Sequence, residues 1–140
     1  MGGSVRITAD TNVLVRALVE DDPDQAHLAK TVLQEAELVA IPLPVLCELV
    51  WVLRRVYSLG RDACREAITA LLQSRTVVAD RPAVEAGLRV LAAGGDFADG
   101  VIAFEGRALG GSTLVTFDRD AARLLRQSDE QVKLLSIDGQ

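Results

Sequence analysis

Val5-Arg6-Ile7-Thr8-Ala9-Asp10-Thr11-Asn12-Val13-Leu14-Val15-Arg16 contains the change of pattern on which the fold turns. Val5 to Ala9 is a short run rich in strand formers and reads as a first buried strand. Thr11 to Val19 then takes up helical spacing, with Asp10 at the junction. A strand passing into a helix through one acidic residue opens a β–α unit, and the chain goes on alternating in this way.

Asp22-Pro23-Asp24-Gln25 supplies a capping Asp, a Pro at the first helical position and a Gln three residues after the cap. It starts a second helix that runs to about Ala36. Leu38 to Ile41 reads as a short strand, Pro44 to Tyr57 as a long apolar helix and Ser58-Leu59-Gly60 as a turn. Arg61-Asp62 begins a helix ending near Ser74, Thr76 to Ala79 is a third strand, and Pro82 to Ala93 is a helix stopped by Gly94-Gly95. Phe97 to Leu109 is helical, Gly110-Gly111 breaks it, and Thr113 to Thr116 is a fourth strand. A short helix runs through Leu125, and Lys133 to Ile137 completes the pattern as a last strand. This alternation predicts an α/β sandwich around a mostly parallel sheet. With 140 residues, 15.0 kDa, no internal repeat and no long linker, the chain reads as a single domain over 1–140.

Composition narrows the function classes. Hydrophobic residues make up 49% and charged residues 25%, which suits a folded protein rather than a disordered one. No stretch reaches the ~18 uncharged apolar residues of a membrane helix, and Met1-Gly2-Gly3-Ser4 lacks the charged and apolar regions of a signal peptide. Cys47 and Cys64 are too few for a disulfide framework and read as core residues, so the expected location is the cytoplasm. A net charge of -5 and a pI near 4.8 exclude a generic basic nucleic-acid coat, and an acidic chain suits a basic protein partner. Arginine outnumbers lysine thirteen to two, and arginine is the better fork for phosphate or carboxylate.

Four acids stand in or just beyond apolar segments. Asp10 closes the first strand, Glu48 interrupts the apolar Leu43 to Leu53, Asp99 precedes Val101-Ile102-Ala103-Phe104, and Asp118 follows Leu114-Val115-Thr116-Phe117. Ligands of open α/β folds sit beyond the carboxyl ends of strands, where Asp10 and Asp118 fall. Each acid also has a plainer reading. Asp10 and Asp118 fit helix caps, and Asp99 fits a first-turn residue favoured by the helix dipole. Glu48, with Val45, Trp51 and Val52 on its side of the helix, is hardest to dismiss, because an unpaired carboxylate on an apolar face is costly. Asp96 reads as the cap before Phe97, and Asp120 as an outer charge beside Asp118.

If the four converge, their repulsion is of the kind a divalent cation relieves. Carboxylates without imidazole or thiolate favour Mg2+, with Mn2+ as the other candidate, over zinc. The single histidine, His27, lies in a polar helix and reads as exposed, which leaves no Ser-His-Asp triad and too few ligands for zinc. Neither Gly94-Gly95 nor Gly110-Gly111 has the spacing of a phosphate-binding loop. An acid-only site suits metal-assisted hydrolysis of a phosphodiester.

The segments Asp10-Thr11-Asn12-Val13-Leu14-Val15-Arg16, Pro44 to Leu53, Asp96-Phe97-Ala98-Asp99-Gly100-Val101-Ile102-Ala103 and Leu114-Val115-Thr116-Phe117-Asp118-Arg119-Asp120 resemble, in order and spacing, the PIN-domain nucleases. The likeness is closest to the VapC-type toxins of bacterial toxin–antitoxin pairs, and it spans roughly residues 5 to 137. The resemblance implies a PIN-like three-layer α/β/α sandwich around a central sheet of four to five strands, with Mg2+-dependent endoribonuclease activity. It puts the family's metal ligands and catalytic acids on Asp10, Glu48, Asp99 and Asp118, with Thr11, Asn12, Thr116 and Asp120 as polar support. It also implies an RNA substrate, a VapB-like antitoxin and a homodimer. Arg16, Arg54, Arg55 and Arg107 are candidates for contacts to the RNA backbone, with a plain solvated surface as the other and favoured reading of each. Gly100 stands where a larger apolar residue is common and is expected to loosen the start of its helix.

Two other classes fit parts of the sequence. Aspartyl-phosphate enzymes, namely haloacid-dehalogenase-like phosphatases and receiver domains, also carry Asp at the end of a first strand. The phosphatases want a second Asp where this chain has Asn12, and both want a late lysine that neither Lys30 nor Lys133 supplies. A non-catalytic protein-binding module, whose acids cap helices and bind a basic peptide, is the other reading.

Overall fold

The structure is a computed structural model that describes residues 5–137. The elements run β1 (Arg6–Thr8), α1 (Thr11–Val19), α2 (Pro23–Glu35), β2 (Leu38–Ala40), α3 (Leu43–Arg55), α4 (Arg61–Gln73), β3 (Val77–Val78), α5 (Arg81–Ala92), α6 (Phe97–Ala108), β4 (Leu114–Thr116), α7 (Arg119–Gln127) and β5 (Val132–Leu134). The α/β class and the parallel strands are as expected from sequence. The strands group into two sheets rather than one, three in the order β1-β2-β3 and two as β4-β5. The chain divides into two compact units after Asp80.

In the first unit, β1 and β2 pair in parallel with Ile7 opposite Val39, and β2 pairs with β3 with Val39 opposite Val77. The ladder runs past the assigned strands, since Ala9 N–H donates to the Ala40 carbonyl at 3.0 Å and Ile41 N–H to that of Val78 at 2.9 Å. Two parallel neighbours end at the same edge, so α1 after β1 and α3 after β2 both start from that edge. The core comprises Leu14 and Val15 of α1, Val39 and Ile41 at the sheet, Leu46, Leu49 and Leu53 of α3, and Cys64 and Ile68 of α4. Burial raises the pKa of the Cys64 thiol, against a smaller opposite pull from the Arg54 guanidinium nearby. Cys47 is half-buried rather than core, and on α4 Ala63 and Ala70 are exposed. Residues 22–25 behave as predicted: the Asp22 carboxylate accepts from Gln25 N–H at 3.2 Å, with Pro23 in the first turn.

In the second unit, Val90 of α5, Ala103 of α6 and Leu125 of α7 form a buried cluster, with Leu114 of β4 and Val132 of β5 packed against it. β4 and β5 pair in parallel with Val115 opposite Lys133, so the last strand begins one residue earlier than predicted and ends at Leu134. Gly100 is not a loose point. A Cβ there would lie 2.4 Å from the Ala86 carbonyl oxygen and 2.8 Å from the Gly87 Cα, so α6 crosses α5 at backbone contact. Gly87 answers from the other side, where a Cβ would meet the Phe97 ring at 2.7 Å. Gly106, later in α6, has nothing within 4 Å of its Cβ position.

Two glycines of one helix therefore give opposite expectations. Gly100→Ala is expected to destabilise by about 1–3 kcal/mol through overpacking against immovable backbone, outweighing its better helix propensity. Gly106→Ala is expected to stabilise by roughly 0.5–1 kcal/mol. Thermal and urea denaturation of both variants decides it, and equal effects in the same direction would contradict the crossing described.

Candidate active site

Asp10 follows β1 at the carboxyl edge of the three-stranded sheet and is the N-cap of α1. Its Oδ1 accepts from Thr11 N–H at 2.8 Å, and its side chain is exposed. Thr11 itself is only 5% exposed, the single buried polar residue among those described. A buried hydroxyl needs a partner, and the Thr11 Oγ1 donates to Glu48 Oε1. One residue thus grips both acids, Asp10 through its amide and Glu48 through its hydroxyl.

Glu48 is not buried on an apolar face. Leu46, Leu49, Val50 and Leu53 form the buried side of α3, while Glu48 is exposed on the opposite side. The sequence suggested burial because so many residues around it are apolar, but Pro44 and Trp51 are themselves exposed. What constrains Glu48 is its bond to Thr11, not desolvation.

In the second unit, Asp99 lies in the first turn of α6 and is half-buried. Its pKa is raised above the usual carboxylate range, first by burial and then by the negative charges of Asp96 and Asp118. Asp118 follows β4 and caps α7, with a carboxylate that accepts from Ala121 N–H at 3.0 Å. The Thr116 hydroxyl accepts from Asp118 N–H at 3.0 Å and so holds the turn that presents Asp118. Asp96 occupies the N-cap position of α6, as read from the sequence, without a side-chain cap bond.

The capping and functional readings of Asp10 and Asp118 are therefore compatible, because a cap bond occupies one oxygen and leaves the other open. Asn12 is exposed and lines a surface cleft of about 300 Å³ with Val13, Arg16 and Leu28. Asp120 is exposed and pairs with Arg123 at 3.5 Å, a surface bridge of small energetic weight. His27 is exposed, as expected. Of the arginines, Arg16 pairs with Asp21 at 3.0 Å, and Arg107 pairs with Glu130 at 2.8 Å while lying over the Phe104 ring. Among the described residues, no three His, Cys, Asp or Glu side chains are grouped as ligands of a metal ion. Asp10 with Glu48, and Asp99 with Asp118, are pairs of hard oxygen donors, the donor chemistry that suits a divalent cation.

The raised pKa of Asp99 carries a pH signature. Its native form holds a proton more tightly than the unfolded chain, so ionisation costs stability as pH rises through the native pKa, and the cost is absent below about pH 4 where both states are protonated. Asp99→Asn is expected to raise the melting temperature at neutral pH and to lose that advantage at low pH. Melting curves between pH 3 and 8 test this; a pH-independent difference would contradict it.

No curated protein matches this chain. No helix of the described residues is long and apolar enough to cross a membrane. The family model that does match is that of the PIN domain, over residues 7–126, which takes in all four acids and most of each compact unit. The chain belongs to the PIN-domain family, whose members are generally nucleases that bind RNA and use divalent metal ions.

Proposed function

We propose that this protein is a Mg2+-dependent endoribonuclease, the toxin of a VapBC-type pair, built as one PIN-like domain from both units. The grip of Thr11 on Asp10 and Glu48 is the observation that carries the reading, because it ties two carboxylates to one residue at the edge where α/β folds act. Asp99 supports it: a half-buried acid beside two like charges is relieved by a cation. The ligands proposed are Asp10, Glu48, Asp99 and Asp118, with Asp10 and Asp99 holding the ion most directly. Mn2+ would serve in place of Mg2+.

When bound, such an ion lowers the pKa of water and stabilises charge on a phosphodiester undergoing in-line displacement. The residues of the chain do the positioning. Thr11 fixes the Asp10 and Glu48 carboxylates without neutralising them. Thr116 fixes the turn at Asp118, and the helix dipole at α6 favours the ionised form of Asp99 once a cation has relieved the repulsion. The expected products carry 5′-phosphate and 3′-hydroxyl ends. The net charge of -5 suits an antitoxin whose basic tail covers the acids, and a cytoplasmic homodimer completes the proposal.

Asp10→Asn and Asp99→Asn are expected to lower RNA cleavage by roughly 100-fold or more, the scale for loss of a preorganised charge-stabilising group. Asn is as good a cap as Asp, so Asp10→Asn keeps α1 while removing the charge. EDTA is expected to abolish cleavage, and Mn2+ to raise the melting temperature of the wild type but not of Asp99→Asn. Full cleavage in EDTA or in either variant would sink the proposal. Thr11→Val, which keeps the shape and removes the hydroxyl, is expected to lower metal affinity about 10- to 100-fold, with Thr11→Ser restoring most of it. Titration calorimetry with Mn2+ reads this directly.

A further inference from the structure

The exposed face of α3 continues beyond Glu48. Pro44, Glu48, Trp51 and Arg55 follow at intervals of four, three and four residues, so they form one stripe along the helix, and all four are exposed. Trp51 is 58% exposed and is the only tryptophan in the chain. A surface indole of this kind leaves a large flat apolar ring in water, set between a carboxylate and a guanidinium on its own helix. With a rise of ~1.5 Å per residue, Trp51 lies about 4–5 Å along the axis from Glu48, and Arg55 about 6 Å further.

Arg55 is also the candidate phosphate-binding arginine that the fold leaves available. Arg16 and Arg107 are engaged in ion pairs, and Arg54 is less exposed than Arg55. Arg55 has no ion-pair or hydrogen-bond partner among the described residues.

We infer that the stripe from Glu48 to Arg55 is a subsite for single-stranded nucleic acid, in which Trp51 stacks on a base and Arg55 meets a neighbouring phosphate. The inference rests on the nuclease reading above and says where the strand lies as it approaches Glu48. An acidic protein gains little from general attraction to a polyanion, so affinity has to come from contacts that charge does not govern. Stacking on an indole is one, and it is open to every base because every base has a π-face. The charges on either side of Trp51 favour this occupant over an apolar partner helix, which would have to bury Glu48 and Arg55 without matching charges.

Because Trp51 is the only indole, its fluorescence reports the contact without labelling. In EDTA, a ten-nucleotide oligoadenylate is expected to quench the emission saturably. Trp51→Ala is expected to weaken binding of a dye-labelled copy of that strand roughly 5- to 150-fold, and Trp51→Phe much less. A fully abasic ribose-phosphate strand of the same length is expected to bind wild type and Trp51→Ala equally weakly. Arg55→Gln is expected to reduce the salt dependence of binding by about one unit of slope, while Trp51→Ala leaves the slope unchanged. In Mg2+, Trp51→Ala is expected to raise KM with kcat held. If the wild type binds and cleaves the strand with its emission unmoved, the stacking subsite is wrong and the nuclease reading stands. If Trp51→Ala instead turns a dimer into a monomer in sedimentation with strand affinity unchanged, the stripe is a protein interface and the inference is overturned. If the wild type neither binds nor cleaves RNA, the nuclease reading falls and takes the subsite with it.

Discussion

The burial of Thr11 is the constraint from which the arrangement of Asp10 and Glu48 follows. Its side chain is drawn into the core with Leu14 and Val15 when α1 packs at the sheet, and a hydroxyl held away from water must donate to something. The available acceptor is Glu48, on the helix that starts from the same edge of the sheet after the neighbouring strand. Parallel pairing of β1 with β2 sets that edge, and the apolar side of α3 sets which residue faces it. Position, rather than burial, is what the fold confers on Glu48.

The second unit reaches its acids by close packing. Gly87 and Gly100 let α5 and α6 approach at backbone contact, which anchors the first turn of α6 and with it Asp99. Asp118 comes from the end of β4, held by its cap bond into α7 and by the Thr116 hydroxyl. Burial first, and then the charges of Asp96 and Asp118, oppose the ionisation of Asp99. The like charges of Asp96 and Asp118 are the part of that opposition which the proposed cation would relieve.

Structural and proposed functional roles coincide at several residues. Asp10 and Asp118 are helix caps and also exposed carboxylates, so their capping bonds orient them rather than compete with chemistry. Of the four candidate arginines, Arg16 and Arg107 close ion pairs on the surface, and Arg54 and Arg55 do not. Such sorting depends on which side chains come close in space, which no spacing rule along the chain reports.

Much was legible in the residues alone. The β–α alternation, the Asp22 cap, the acid-only donor set and the four segments that carry the PIN resemblance are local patterns, governed by backbone sterics and by periods of two and 3.6 residues. Other features belong to tertiary structure. Apolar neighbours in sequence made Glu48 look buried, yet a helix has two sides, and only packing says which is covered. Gly100 looked like a weak point until α5 came against it. The grouping of five parallel strands as three and two, the Thr11 bond that joins Asp10 to Glu48, and the charges around Asp99 are likewise contacts between residues far apart in the chain. Local patterns determine which elements form; how close two of them come, and which polar atom is left needing a partner, is decided by the packing of the whole.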